Sequence, residues 1–292
     1  MNIKLGGILP AVVPPLHADE TVNIHGFEQL LERVYGAGAA GVYVCGSTGE
    51  GLALPVRERK KVAEIAIRSS PAGKQVIVHV GARSDEDLSV LVRHASSLAV
   101  TAISSLPPAG IAGELLPGYY RALAASSAVP VVAYYFPEFT GTALKFEQLL
   151  EIASIPNVHG IKFTDYDLYS LSRLVNRGVT VFNGRDEILA AGFLMGAQGG
   201  IGSIYNLLTR HFVRLFDHAR AGRWVDARKL QQEVNRVIDV LLQYPLIPAI
   251  KKVLSWKGID CGLAVHPTRV LTLEEENRLH KEIGDFEELL AA

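Results

Sequence analysis

Short, almost wholly apolar runs alternate with helix-length amphipathic segments over the first two-thirds of the chain. The runs fall at 8–13, 41–45, 76–80, 100–104, 129–135, 158–162, 179–182 and 200–203. They hold few internal polar residues, as strands covered on both faces do. Eight such runs separated by helical patterns predict a (β/α)8 barrel (TIM barrel) in preference to a doubly wound sheet. Helix punctuation agrees: Ser84 with Asp87, and Thr272 with Glu275, have capping-box spacing ahead of periodic apolar segments. After Tyr205 the alternation stops, and helical patterns at 207–216, 224–242 and from 272 onward predict a C-terminal helical extension. The expected division is a barrel over 1–222 and a helical region over 223–292. Leu230, Val234, Val237, Ile238 and Leu241 form a stripe that must bury against the barrel or another subunit, and Pro245 with Pro248 breaks the pattern that follows.

Composition narrows the class. Hydrophobic residues make up 49% of 292 positions, enough for one large core with an appendage. The 29 basic and 30 acidic residues leave a net charge of −1, so the global balance favours neither nucleic acid nor an anionic membrane, and a small-molecule partner is the default. Cys45 and Cys261 alone supply neither a disulfide framework nor metal-ligand spacing, and His17, His79, His94 and His159 show no ligand spacing either. The N-terminal residues lack the apolar core of a signal peptide, and no stretch approaches the ~18 apolar residues needed to span a bilayer. These features predict a soluble, unprocessed protein of the reducing cytoplasm.

In a β/α barrel the loops after the strands' C-terminal ends build the active site, so polar residues there carry the most weight. Lys162 closes the run 158–162 and is followed by Phe163 and Thr164. A lysine snorkelling past a strand end explains this segment alone. A desolvated lysine, however, becomes a free amine able to attack a carbonyl. Gly46-Ser47-Thr48-Gly49-Glu50-Gly51 follows the second run and offers amides and hydroxyls to a carboxylate, although an ordinary Gly/Ser turn reads the same way. It lacks the lysine of a phosphate loop, and the G-x-G-x-x-G dinucleotide pattern is absent. Tyr134 and Tyr135 close the fifth run, where a phenol could shuttle protons or simply line the rim. Asn183-Gly184-Arg185-Asp186-Glu187 follows the seventh run, and Gly199-Gly200-Ile201-Gly202-Ser203 lies at the eighth. The two carboxylates suit polyol hydroxyls, while Asp186 equally suits the first turn of a helix.

Together these segments resemble the dihydrodipicolinate synthase/N-acetylneuraminate lyase superfamily of pyruvate-dependent class I aldolases over nearly the whole chain. Gly46-Ser47-Thr48-Gly49-Glu50 resembles the family's G-[ST]-T-G-E loop, which holds the pyruvate carboxylate. Tyr134 in Y-x-x-P-x-x-T-G resembles the catalytic tyrosine, and Lys162 after Gly160-Ile161 the Schiff-base lysine. The resemblance implies a (β/α)8 barrel, a homotetramer, a 2-oxo acid substrate, and an imine on Lys162 that makes a metal or organic cofactor unnecessary.

Details within the resemblance point to the N-acetylneuraminate lyase branch. Dihydrodipicolinate synthases carry an arginine where Phe139 stands, and a tyrosine pair reached from a neighbouring subunit where Pro107 and Pro108 stand. The sialate-cleaving branch has an apolar residue at the Phe139 position, Lys-x-Thr after the strand, and N-G-Y-D-E followed by G-G-I-G-S. By that likeness Thr164, Gly184, Asp186, Glu187 and Ser203 would bind the sugar chain, and Gly46, Gly49 and Phe139 are expected among the substrate-binding residues. Arg185 departs from the pattern, standing where the branch has tyrosine; as a substrate-binding candidate its guanidinium could take a second carboxylate, and it could equally stack on the rim paired with a nearby acid. The expected activity is cleavage of an N-acetylneuraminate-like 2-oxo sugar acid to pyruvate and an aldehyde. The alternatives are a 2-keto-3-deoxy sugar acid aldolase, a 4-hydroxy-tetrahydrodipicolinate synthase, or a regulator that binds a sugar acid without turning it over.

Overall fold

Each apolar run becomes one strand of a closed parallel barrel in the computed structural model, which describes residues 5–291. The strands are β1 (Gly7–Pro10), β2 (Gly41–Val44), β3 (Gln75–His79), β4 (Ala102–Ser105), β5 (Val131–Tyr135), β6 (Val158–Phe163), β7 (Val181–Asn183) and β8 (Gly199–Gly202). Each pairs in parallel with its sequence neighbour from β2 to β8, β8 returns to β1 through Gly7↔Gly199, and the Ala11↔Tyr43 bridge closes the ring. Their ends lie within three residues of the expected ones, the largest differences arising where apolar character continues into buried segments that leave the ladder. The run 129–135, for example, pairs only from Val131, since Pro130 has no N–H to donate.

Side chains alternate between the barrel interior and the helical layer. On β5, Val131 and Ala133 face the helices while Val132 and Tyr134 face inward; on β6, Ile161 and Phe163 face the helices. Lys162 lies between those two and is the register partner of Tyr134. The inward parity of the strands therefore brings the lysine and the phenol to adjacent positions near the barrel mouth.

The helical layer comprises α1 (Ile24–Gly36), α2 (Val56–Arg68), α3 (Asp85–Ser97), α4 (Leu116–Ser126), the single turn α5 (Pro137–Thr140), α6 (Phe146–Ala153), α7 (Leu168–Asn176) and α8 (Leu189–Leu194). It continues through α9 (Tyr205–Arg220), α10 (Trp224–Leu241), α11 (Leu246–Trp256), α12 (Leu273–Gly284) and α13 (Glu287–Ala291). Ser84 caps α3 by accepting the Asp87 N–H, and Thr272 and Glu275 form the full reciprocal box on α12. The α10 stripe is buried within the same chain, in the main core with α8 and α9 residues. One element departs from expectation: α11 occupies the segment that Pro245 and Pro248 seemed to interrupt. Pro245 precedes its first residue and Pro248 lies in its first turn, where a missing N–H breaks no helical bond. No helix among the described residues is long and apolar enough to cross a membrane.

Candidate active site

The loops at the C-terminal ends of β1, β2 and β5–β8 surround a cavity of about 290 Å³. Ser47, Thr48, Tyr134, Lys162, Thr164, Gly184, Arg185, Asp186, Glu187 and Ser203 all line it. Gly46, Gly49 and Phe139 do not. The two glycines shape the backbone of the Ser47-Thr48 loop, while Phe139 on α5 is 47% exposed and stacks on the lining residue Phe136 at 5.7 Å. Nine further lining residues were not read as part of a site in the sequence; five lie at or just beyond strand ends, and the other four are Ile238 and Leu242 from the end of α10 and Leu246 and Ile247 from the start of α11. These four give the cavity an apolar wall, and nothing in a plain helical stripe distinguishes such positions from ordinary core.

Lys162 is buried, with Nζ 3.8 Å from the Tyr134 ring centroid and 4.7 Å from that of Tyr43. These faces are electron-rich and suit a cation, yet leave the nitrogen uncommitted to any carboxylate among the described residues. The other buried lysine among the described residues, Lys251 on α11, is by contrast held 2.6 Å from Glu50 and donates to the Leu263 carbonyl at 2.8 Å. Tyr134 packs edge-on against Tyr43 and His79 and stacks on Phe136. Its backbone N–H donates to the Tyr120 hydroxyl at 3.1 Å, which fixes the β5 end from behind. His79 accepts the Leu106 N–H on Nε2; burial, then the nearby Arg59 and Lys162 charges, hold the imidazole well below its usual pKa and thus neutral. It acts as a structural histidine beneath the site.

The Ser47-Thr48 loop is anchored hard. Cys45 at φ 59° and Glu50 at φ 51° flank it in the left-handed region, which costs a non-glycine residue roughly 1–2 kcal/mol each. Glu50 accepts the Val265 N–H at 2.7 Å as well as pairing with Lys251, so the motif's glutamate ties the loop to the C-terminal region instead of facing the cavity. Thr48 Oγ1 lies 2.6 Å from Ser203 Oγ, and Ser47 Oγ is buried with no hydrogen-bond partner among the described residues. A proton relay from Tyr134 through these hydroxyls would meet a threonine engaged by Ser203 and a serine with its hydrogen bond still to give.

On the far side, Asp186 Oδ2 accepts the Ile204 N–H at 2.8 Å, while Oδ1 and the Thr164 hydroxyl are buried without partners among the described residues. Burial pushes the Asp186 carboxyl up to about 7, against the opposing pull of the Ile204 N–H bond. The glycines here are spatial necessities: a Cβ on Gly184 would meet Thr164 Oγ1 at 2.0 Å, and one on Gly202 would meet Asp186 Oδ1 at 1.7 Å. From α10, Gln231 donates to the Asp186 carbonyl at 3.0 Å and Asn235 to the Glu187 carbonyl at 3.0 Å, clamping the backbone of both acids. Glu187 also accepts the Tyr166 hydroxyl.

A parallel barrel with a buried lysine beside a tyrosine at its mouth, the lysine paired with no carboxylate among the described residues, suits a carbon–carbon lyase. The chain belongs to the dihydrodipicolinate synthetase family, whose profile matches residues 4–285. The N-acetylneuraminate lyase of Rhizobium meliloti is 36% identical over 271 residues, covering 91% of this chain and 90% of that protein. Among solved structures, the N-acetylneuraminate lyase (sialic acid aldolase) of Aliivibrio salmonicida superposes with a TM-score of 0.90 at 28% identity, over 97% of both chains. The Proteus mirabilis N-acetylneuraminate lyase gives 0.88 at 31% identity, over 97% of this chain and 98% of that one.

Proposed function

We propose that this chain is a class I aldolase that cleaves a 2-oxo sugar acid of the N-acetylneuraminate kind to pyruvate and an aldehyde. One observation carries the reading: Lys162 is buried beside Tyr134 with no acidic partner among the described residues, while Lys251, also buried, is fully committed to Glu50. The similar proteins named N-acetylneuraminate lyase support the substrate class.

In this reading Lys162 Nζ adds to the C2 ketone of the open-chain acid, and loss of water gives an iminium. The buried Ser47 hydroxyl and the Thr48 hydroxyl hold the substrate carboxylate. Tyr134, left as a phenolate once its proton has gone to the hydroxide departing as that water, accepts the proton of the C4 hydroxyl; the C3–C4 bond breaks, and its electron pair enters the iminium as an enamine while the aldehyde departs. Protonation at C3 and addition of water then return pyruvate and the free amine. The imine serves as electron sink, so the scheme uses no metal or organic cofactor. Thr164, Gly184, Asp186, Glu187 and Ser203 face the sugar chain. The barrel, 1–222, supplies the imine end, and the helical region, 223–292, supplies the apolar wall. The same proposal assigns the chain to the cytoplasm as a homotetramer, for which exposed side chains such as Tyr169, Leu194 and Val225 offer apolar surface.

A coupled assay of pyruvate release over N-acetylneuraminate and shorter 2-oxo-3-deoxy acids tests the substrate class. Release from N-acetylneuraminate supports the reading; turnover of the shorter acids alone replaces it with a 2-keto-3-deoxy sugar acid aldolase.

A further inference from the structure

Arg185 lines the cavity mouth with its side chain only 15% exposed. Its guanidinium lies over the Tyr166 ring at 4.3 Å and near the Phe136 ring at 5.4 Å, so the fork is held between aromatic surfaces. A terminal nitrogen of the fork donates to Glu138, whereas Nε is buried with no hydrogen-bond partner among the described residues. Glu138 is itself 68% exposed, and an ion pair made by so exposed an acid contributes little and is readily exchanged. Glu187, the other acid close by, is occupied by the Tyr166 hydroxyl. A planar, pre-oriented fork half-satisfied by a solvent-facing carboxylate matches a second carboxylate that takes two parallel N–H donors at once.

We infer that Arg185 is a specificity-determining residue that receives a second carboxylate, at the end of the substrate's aldehyde half. The preferred substrate is then a dianionic 2-oxo sugar acid, with one carboxylate at the Ser47-Thr48 loop and one at Arg185 in place of Glu138. This rests on the aldolase reading and adds the far end of its substrate.

The test compares pyruvate release from two 2-oxo-3-deoxy acids of equal length, one ending in a hydroxymethyl group and one in a carboxylate. The native chain is expected to favour the acid-tailed substrate in kcat/KM by at least about tenfold, the scale of one hydrogen bond to a charged group. Arg185→Gln should bring the ratio close to one by raising KM for the acid-tailed substrate, and Glu138→Gln should widen the preference by removing the competing acid. Equal kcat/KM for both substrates in the native chain, or a ratio unchanged in Arg185→Gln, overturns the assignment. Borohydride trapping of pyruvate on each variant runs alongside. A trapped adduct without tail preference defeats only the Arg185 site, whereas absence of any adduct defeats the aldolase reading itself.

Discussion

Environment, not residue type, separates the two buried lysines. Lys251 is neutralised by Glu50 and a carbonyl, while Lys162 meets aromatic faces and the cavity. A comparable contrast separates the acids at the far end, where Asp186 is enclosed and Glu187 reaches the Tyr166 hydroxyl. A carboxyl raised from its ordinary 3.8 to about 7 binds its proton more tightly in the folded chain than in the unfolded one. Its contribution therefore leaves stability intact at low pH and erodes it as pH rises through that window, by up to about 4 kcal/mol. Asp186→Asn should lack this loss, so its stability relative to the native chain should improve between about pH 4 and about pH 8 in denaturant titrations. Parallel pH dependence in the two proteins would show that Asp186 is not held protonated by burial. Lys162, Tyr134 and Ser47-Thr48 were legible in the sequence because each sits next to a strand pattern or inside a short motif. The setting of Arg185 was not, since Glu138 and Tyr166 reach it from two other loops.

Among the elements, all eight strands could be read from their apolar runs, because a strand covered on both faces leaves an unbroken signature. α11 could not. Pro245 and Pro248 look like breaks until it is seen that both fall at a helix start, where proline is accommodated. The consequence reaches the site, since α11 delivers Leu246 and Ile247 to the cavity wall and Lys251 to the Ser47-Thr48 loop through Glu50. Lys251→Met leaves Glu50 as an unpaired buried charge beneath a strained loop, and should cost about 3–5 kcal/mol of unfolding free energy. Adding Glu50→Gln to that variant should recover much of the loss. A single variant within about 1 kcal/mol of the native chain would mean that the pair lies effectively in solvent.

At the scale of the molecule, the barrel supplies a fixed inward register and the C-terminal helices close one side of its mouth. Parity in β5 and β6 sets Tyr134 beside Lys162, and the loops after β2, β7 and β8 bring hydroxyls and carboxylates to the same cavity. Barrel topology could be anticipated from the count and spacing of strands, and the chemical half of the cavity from the family likeness of its motifs. The helical wall could not, because Ile238 and Leu242 keep the same periodicity as residues that merely pack. The central claim is that this arrangement makes Lys162 the imine-forming amine. Incubation with pyruvate and borohydride, followed by peptide mass spectrometry, tests it most directly. The expected result is one reduced pyruvyl adduct, on the peptide containing Lys162, with parallel loss of pyruvate-releasing activity; no adduct, or an adduct on Lys251 or a surface lysine instead, would contradict the account.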